Sequence, residues 1–297
     1  MALHPSSRGL AAERLAPRDL PEALAWLERE PVLLVYLVAL ALRDAFARPR
    51  DETWVVRRDG EIAAYLHLGG ASGAVLPAGR DPEALDALAE QALARCGALP
   101  PRLHVIGPGE AFARVADRLA AAGIRPRVRR RQVYMALARG ALPPFERLPA
   151  LRRATPEDRA LVHESGALLR AEELEEDPRV ADPAAYARRV EEECRDGYTW
   201  LWTADDGLRF RASVSAITTD AAQVSGVYTP AARRRRGHAR RGLSELCARL
   251  LERVPTVCLF VNDFNAPAIA LYEALGFRAI SDWGSAFYDP AAAARAR

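Results

Sequence analysis

The sequence predicts an α/β (α+β) protein of two domains, each a mixed, mostly antiparallel sheet flanked by helices. Three observations lead there. The chain has 297 residues, more than the roughly 100–200 of one typical domain. Half of those residues are hydrophobic, enough for folded cores. One order of elements, helices, then strands, then alternating helix and strand, is written twice, with a loss of periodicity between the two runs.

The first run begins with a polar lead. A helix is expected over 21–28 and another over 32–40, whose unbroken apolar character implies burial on several sides. Strands over 53–57 and 62–68 pair around Asp59-Gly60, a strong hairpin signal, and 74–76 adds a third strand. Asp81-Pro82 opens a helix carrying Leu85, Leu88 and Leu93. A strand over 103–106, a helix over about 110–121 stopped at Gly123, and a strand over 127–137 follow. The turn Gly107-Pro108-Gly109-Glu110 lacks the lysine and Ser/Thr of a phosphate-binding P-loop, so it reads as an ordinary strand-to-helix turn. Arg125, Arg127, Arg129, Arg130 and Arg131 place alternate members on one strand face. With Tyr134 the one aromatic among them, a solvated edge fits better than a nucleic-acid surface.

The segment from 139 to 149, with Pro143-Pro144 and Pro149, loses periodicity. This sets the expected domains at 1–140 and 150–297, with 141–149 as linker. The second run opens at Thr155-Pro156-Glu157-Asp158, a cap, a first-turn proline and an acidic group at a helix start. Helices near 156–170 and 183–195 flank an acidic link from Glu172 through Pro178. Strands are expected over 199–203, 208–217 and 222–229, a helix carrying Leu243, Leu246, Leu250 and Leu251, a strand over 257–261, a helix through Leu271 to Leu275, and closing strands over 277–280 and 286–288.

Two stretches of this second run ask for one ligand. Val224-Ser225-Gly226-Val227-Tyr228-Thr229-Pro230 leads through Arg233-Arg234-Arg235-Arg236-Gly237-His238-Ala239 into a helix. A basic, glycine-containing turn at a helix start gathers unpaired backbone N–H groups and the positive end of the helix dipole, so the ligand is anionic and a diphosphate suits it. Gly237 and Ala239 are small enough for a phosphate to reach those amides, and Arg234 and Arg236 add charge-assisted donors. Further on, Asn265 and Tyr272 stand seven residues apart, two turns of helix, and so share a face. An Arg run by itself reads as readily as a solvated charged face; the second stretch weighs against that.

These residues resemble the GNAT acyltransferases. Arg234-x-x-Gly237-x-Ala239 matches that family's pyrophosphate signature, and Asn265 with Leu271-Tyr272-Glu273-Ala274-Leu275-Gly276-Phe277 matches its later helix. The resemblance covers about 151–288. It implies an N-acetyltransferase with acetyl-CoA or another short acyl-CoA as cosubstrate, a primary amine as acceptor, and no metal. It puts the pyrophosphate on Arg234, Arg235, Arg236, Gly237, His238 and Ala239, and the pantetheine arm and thioester carbonyl along Val227, Tyr228 and Thr229. Asn265 then contacts coenzyme A, and Tyr272 protonates the leaving thiolate. Arg235 departs from the pattern, which usually has glycine there. The acidic link would overlie the acceptor site and draw a cationic amine, with Glu172 and Glu173 as candidates for general base or amine ligand; a solvated acidic surface is the competing reading. The first half parallels the order of elements, but Pro77-Ala78-Gly79-Arg80-Asp81-Pro82 lacks the loop spacing, which implies a degenerate GNAT-like domain without coenzyme A. This tandem architecture is similar to that of mycothiol synthase, which transfers no substrate to this chain.

The remaining features narrow the class. A net charge of +3, from 42 basic against 39 acidic residues, implies no broad nucleic-acid field. The chain has no lysine, so it cannot acetylate itself on one. Cys96, Cys194, Cys247 and Cys258 form no close pair, which points away from zinc or redox motifs and toward buried thiols. The densest apolar run, 31–42, is shorter than the roughly 20 residues that span a bilayer. A soluble, cytoplasmic monomer or homodimer is expected. The alternatives are a non-catalytic acyl-CoA sensor or interaction module, and a nucleic-acid binder recognisable by salt-dependent association.

Overall fold

The computed structural model describes residues 10–100 and 103–289; the start of the polar lead lies outside them. In the first part of the chain the elements are β1 (Ala12–Arg14), α1 (Leu20–Leu27), α2 (Val35–Asp44), β2 (Glu52–Arg58), β3 (Glu61–Leu68), β4 (Ala74–Gly79), α3 (Pro82–Cys96), β5 (His104–Pro108), α4 (Gly109–Ala121) and β6 (Val128–Ala138). The second part continues with β7 (Arg152–Arg153), α5 (Arg159–Leu174), α6 (Pro178–Ala181), α7 (Pro183–Arg195), β8 (Thr199–Ala204), β9 (Gly207–Ile217), β10 (Ala221–Tyr228), α8 (His238–Leu251), β11 (Thr256–Asn262), α9 (Ala266–Ala274) and β12 (Arg278–Phe287). Of the described residues, one compact unit takes those up to 134, 262–264 and 281–289; the other takes 135–261 and 265–280.

That division falls inside β6 and not at 141–149. The proline-rich segment is strapped to the second unit by hydrogen bonds that its sequence does not announce. Arg139 donates from its backbone N to Pro255 O (2.8 Å) and from Nε to Leu251 O (2.7 Å). Glu245 of α8, with its side chain 1% exposed, accepts from Arg147 Nε (2.9 Å), Leu148 N (2.9 Å) and Arg249 Nε (2.7 Å). Arg249 Nη1 donates to Leu151 O (2.8 Å).

In the first unit, β1 to β4 form an antiparallel run, β5 lies parallel to β4, and Trp283–Phe287 of β12 lies antiparallel to β5. Asp59 and Gly60 both hold positive φ (53° and 86°), the geometry of the tight hairpin expected there. Strand alternation sends Val56, Ala64, Leu66, Leu68 and Val75 to a core with α3 and α4, and Val55, Tyr65, Leu76 and Ala78 to a core with α1 and α2. The apolar run of α2 is not buried all round: Val35, Leu37, Val38 and Ala41 are, whereas Tyr36 and Leu42 are exposed.

The second unit orders its strands β7-β8-β9-β10-β11, antiparallel up to β10 and parallel from β10 to β11. Helices α5 and α7 cover β8, β9 and β10 through Val162, Ala167, Leu169, Tyr186, Val190, Leu201, Leu208 and Tyr228. Helix α8 lies flush against β9, because Gly242 presents no side chain there. A Cβ at Gly242 would stand 2.4 Å from Phe210 Cγ and Cδ1. Gly242→Ala is therefore expected to lower stability by about 1–3 kcal/mol through overpacking, read from the midpoint of urea unfolding.

Three elements differ from expectation. Helix α5 runs to Leu174, so Glu172 and Glu173 stand on its last turn and not on a link; Ala171, the two glutamates and Leu174 are all good helix formers. Glu175, at φ 55°, ends it. The closing segment is one strand, β12, in place of two, since ladder pairing overrides the weak strand propensity of Ser281, Asp282 and Gly284. The short strands β1 and β7 carry no apolar alternation to announce them. All four cysteines are free and buried. Among the described residues no helix is long and apolar enough to cross a membrane, and no group of three His, Cys, Asp or Glu is placed to hold a metal.

Candidate functional site

Strand β10 is irregular where the site lies. From Ser225↔Ser213 to Tyr228↔Arg211 its register advances three residues against two on β9, and Gly226 within that bulge holds φ 58°. On its other side β10 pairs with β11 over Ala221–Gln223 against Thr256–Cys258, and among the described residues the parallel ladder goes no further. The carboxyl ends of two parallel strands thus run on unladdered, a common ligand position in α/β sheets.

The chain leaves β10 through Thr229 and a 3-10 turn over Ala231–Arg233, then enters α8. Arg235 (φ 63°) and Gly237 (φ 77°) both take left-handed backbone conformations. Arg235 therefore adopts the shape that glycine would hold more easily, at a cost of roughly 1–2 kcal/mol. A Cβ at Gly237 would meet nothing within 4 Å, so the turn is open on that side. Helices α3, α7 and α9 are capped by Asp81, Asp182 and Asn265; no side chain caps α8.

The arginines of the turn divide by partner. Arg233 donates to Asp206 Oδ2 and O, both at 2.6 Å. Arg234 donates from Nε to Thr229 O (2.9 Å) and from Nη2 to both oxygens of Glu172 (2.9 and 2.6 Å), with its guanidinium 5.7 Å from the Tyr228 ring centroid. Arg235 and Arg236 are exposed and show no ion pair among the described residues. His238 packs edge-on to Trp202 at 5.1 Å; burial and then the charges of Arg209, Arg236 and Arg233 lower its pKa, so it is neutral at pH 7. Thr229 is 8% exposed, and its Oγ1 has no hydrogen-bond partner.

Helix α5 brings the carboxylates to the bulge. A Cβ at Gly226 would lie 3.6 Å from Leu169 Cδ2 and 3.8 Å from Ser213 Oγ. Glu172 and Glu173 follow Leu169 at i+3 and i+4, on the same helix face. Burial, reinforced by the Glu172 charge and opposed by Arg170, pushes the Glu173 carboxyl up to about 7. The residue is nevertheless exposed, and contact with water favours its ionised form. Tyr272 of α9 is 7% exposed and tilts against Phe277 at 5.8 Å. Burial, then the Glu173 charge, hold its hydroxyl pKa well above the ordinary value, so it keeps its proton.

Part of the sequence-derived set is thus joined at the loop: Glu172 holds Arg234, and Arg234 touches Tyr228 and Thr229. Glu172, one of the two candidate bases, has both carboxylate oxygens engaged by Arg234. Asn265 has a role unread in the sequence: its side-chain oxygen caps α9 by accepting from Ala268 N (3.2 Å). Gly226, Ser213 and Leu169 were absent from the expected site. The glycine inside an otherwise apolar strand is the signal that marks such a bulge.

The first unit lacks these features at its own parallel pair. The start of α3 carries Asp81, which accepts from Ala84 N (3.0 Å) and from Arg58, and Glu83, which also accepts from Arg58 (2.8 Å). A Cβ at Gly107 would stand 2.7 Å from Pro77 O, so β4 and β5 close on each other there.

This architecture is the GNAT fold, present in tandem. Residues 210–285 match the family model described as FR47-like protein. Among similar structures are a GCN5-related N-acetyltransferase from Sphaerobacter thermophilus and a Drosophila protein. The first is 18% identical with TM-score 0.62, covering 95% of this chain and 96% of that one; the second is 16% identical with TM-score 0.65, covering 94% and 99%. A tandem GNAT protein from the clavulanic acid biosynthesis pathway is 22% identical with TM-score 0.52, covering 95% and 98%. At these identities the likeness is one of fold. No curated protein matches the chain.

Proposed function

We propose that the second unit is an N-acetyltransferase that moves an acetyl or other short acyl group from an acyl-coenzyme A to a primary amine by direct attack. The observation that carries this reading is the turn from β10 into α8, where a bulged strand runs into a helix start that no side chain caps and Arg234 meets Thr229 and Glu172. Glu173, pushed up to about 7, and Tyr272, which keeps its proton, suit the base and acid of one transfer.

The residues fit a diphosphate and its pantetheine arm. The uncapped start of α8, Arg235, Arg236 and Thr229 Oγ1 are donors without a partner among the described residues, and Gly237 leaves the turn open beside them. Arg234, Arg235, Arg236, Gly237, His238 and Ala239 would hold the pyrophosphate, and Val227, Tyr228, Thr229 and the amide of Asn265 the arm. Acyl-coenzyme A supplies the activated acyl group and a thiolate leaving group. Glu173 takes a proton from the acceptor's ammonium, directly or through water, which frees the lone pair that attacks the carbonyl carbon. Backbone N–H groups freed by the bulge can stabilise charge developing on a carbonyl oxygen. Tyr272 passes its proton to the departing sulfur and is restored by the second proton shed from the acylated nitrogen, so that amide and free thiol leave. The acidic end of α5 favours a cationic acceptor. With acid residues at α3 and a closed β4–β5 pair, the first unit is read as not binding coenzyme A.

Incubation with acetyl-CoA and a panel of amines, amino acids and peptides, following thiol release, tests this. Amine-dependent release well above hydrolysis is expected. Tight coenzyme A binding without such release would favour a sensor.

A further inference from the structure

Glu172 and Arg234 are 62 positions apart, yet they join the end of α5 to the turn before α8 through one guanidinium nitrogen, Nη2, that reaches both carboxylate oxygens. On the reading above, the two belong to different substrates: the arginine to the donor's diphosphate, the carboxylate to the acceptor's ammonium. We propose that Glu172 is a donor-gated anchor for the acceptor. In the free protein Arg234 neutralises it; a diphosphate on the α8 turn draws the arginine away and leaves Glu172 negative and open beside Glu173. This rests on the proposed function, and it assigns Glu172 a positioning role in place of a catalytic one.

The pair is suited to such an exchange. Both side chains are close to half exposed, 44% for Arg234 and 45% for Glu172, so solvent screens their attraction and the pair is weak. A diphosphate carries more charge than a carboxylate and also meets the helix N-terminus, so it wins the arginine. Arg234 stays tethered meanwhile through Nε on Thr229 O and its packing over Tyr228. Its neighbours cannot take its place in the gate, because Arg233 is held by Asp206 and Arg235 and Arg236 have no carboxylate partner among the described residues. Gating of this kind is reciprocal: donor tightens acceptor, and acceptor tightens donor by the same factor.

The test is calorimetry of coenzyme A and, separately, of inorganic pyrophosphate on the full chain and on Glu172→Gln, at low and high salt, with steady-state kinetics on both. Removing the competing carboxylate is expected to tighten both ligands by about two- to fivefold at low salt, the upper end corresponding to about 1 kcal/mol. The gain is expected to shrink at high salt. In turnover, the variant's acceptor KM is expected to rise several-fold while kcat changes little, which separates anchoring from proton transfer. Unchanged or weaker coenzyme A and pyrophosphate binding by the variant, with normal binding by the parent, would overturn the gate and leave the proposed function intact. Tighter donor binding with an unaltered acceptor KM would overturn the anchoring half. No coenzyme A binding by the parent would remove both the gate and the acyltransferase reading.

Discussion

Glu173→Gln is expected to lower kcat/KM for amine acylation by about 10²–10⁴-fold and to abolish the acid limb of its pH profile. A base must be deprotonated to act, and this carboxyl is pushed up to about 7. The parent's kcat/KM should therefore rise with pH through about 7 and level off above it. Tyr272, held well above its ordinary pKa, keeps its proton across that range and adds no alkaline limb. The glutamine keeps the shape and cannot ionise, so residual activity should be flat near pH 7. A persisting limb in the variant would locate the base elsewhere. Stability offers a second readout with a defined sign. A carboxyl whose folded pKa is raised is a liability once ionised, so its contribution to stability falls as pH climbs above the unfolded value near 4.3. The variant should thus be no less stable than the parent at pH 8, and an activity loss with unchanged or raised Tm would separate chemistry from unfolding.

Glu245→Gln is expected to have the largest effect on stability. Burial pushes this carboxyl up, but Arg147, the Leu148 N–H and Arg249 outweigh it and bring the pKa down to about 2. The shift from the ordinary glutamate value of 4.5 corresponds to about 3 kcal/mol. A depressed carboxyl stabilises above its unfolded pKa and loses that contribution as pH falls from about 5 toward 2. The variant should lose about 2–3 kcal/mol at pH 7, lowering Tm by about 4–12 °C. Because the parent itself surrenders the contribution in acid, the gap between the two should narrow at pH 3 in urea titrations. Equal stability at pH 7 would show that the strap of residues 139–151 onto α8 is inessential. The arginines at its ends are partly exposed, 60% for Arg147 and 27% for Arg249, which keeps the expected loss below that of a fully buried pair.

The two cases differ in what announced them. Glu173 was legible as an acidic residue near a predicted helix end, because charge clusters are written in the linear order. Its role over Glu172 was not: the choice depends on Arg234, which lies 61 positions from Glu173 and engages its neighbour. Glu245 was invisible, standing inside a helix among Leu243, Leu246 and Leu250 as one more polar residue, with a segment read as a loose linker supplying its partners. Proline content erases periodicity, but it says nothing about whether backbone and arginine donors meet a carboxylate.

Local order dictated the tandem α/β plan, the hairpin at Asp59-Gly60, the basic turn from Arg234 to Ala239 and the Asn265–Tyr272 helix, since period, turn chemistry and small residues at a helix start act over a few positions. Only the folded chain settled how far α5 extends, where β10 bulges, which arginine is paired and how the proline segment is held. Those features arise from contacts between residues tens of positions apart, and their energies depend on burial and distance that no linear spacing encodes.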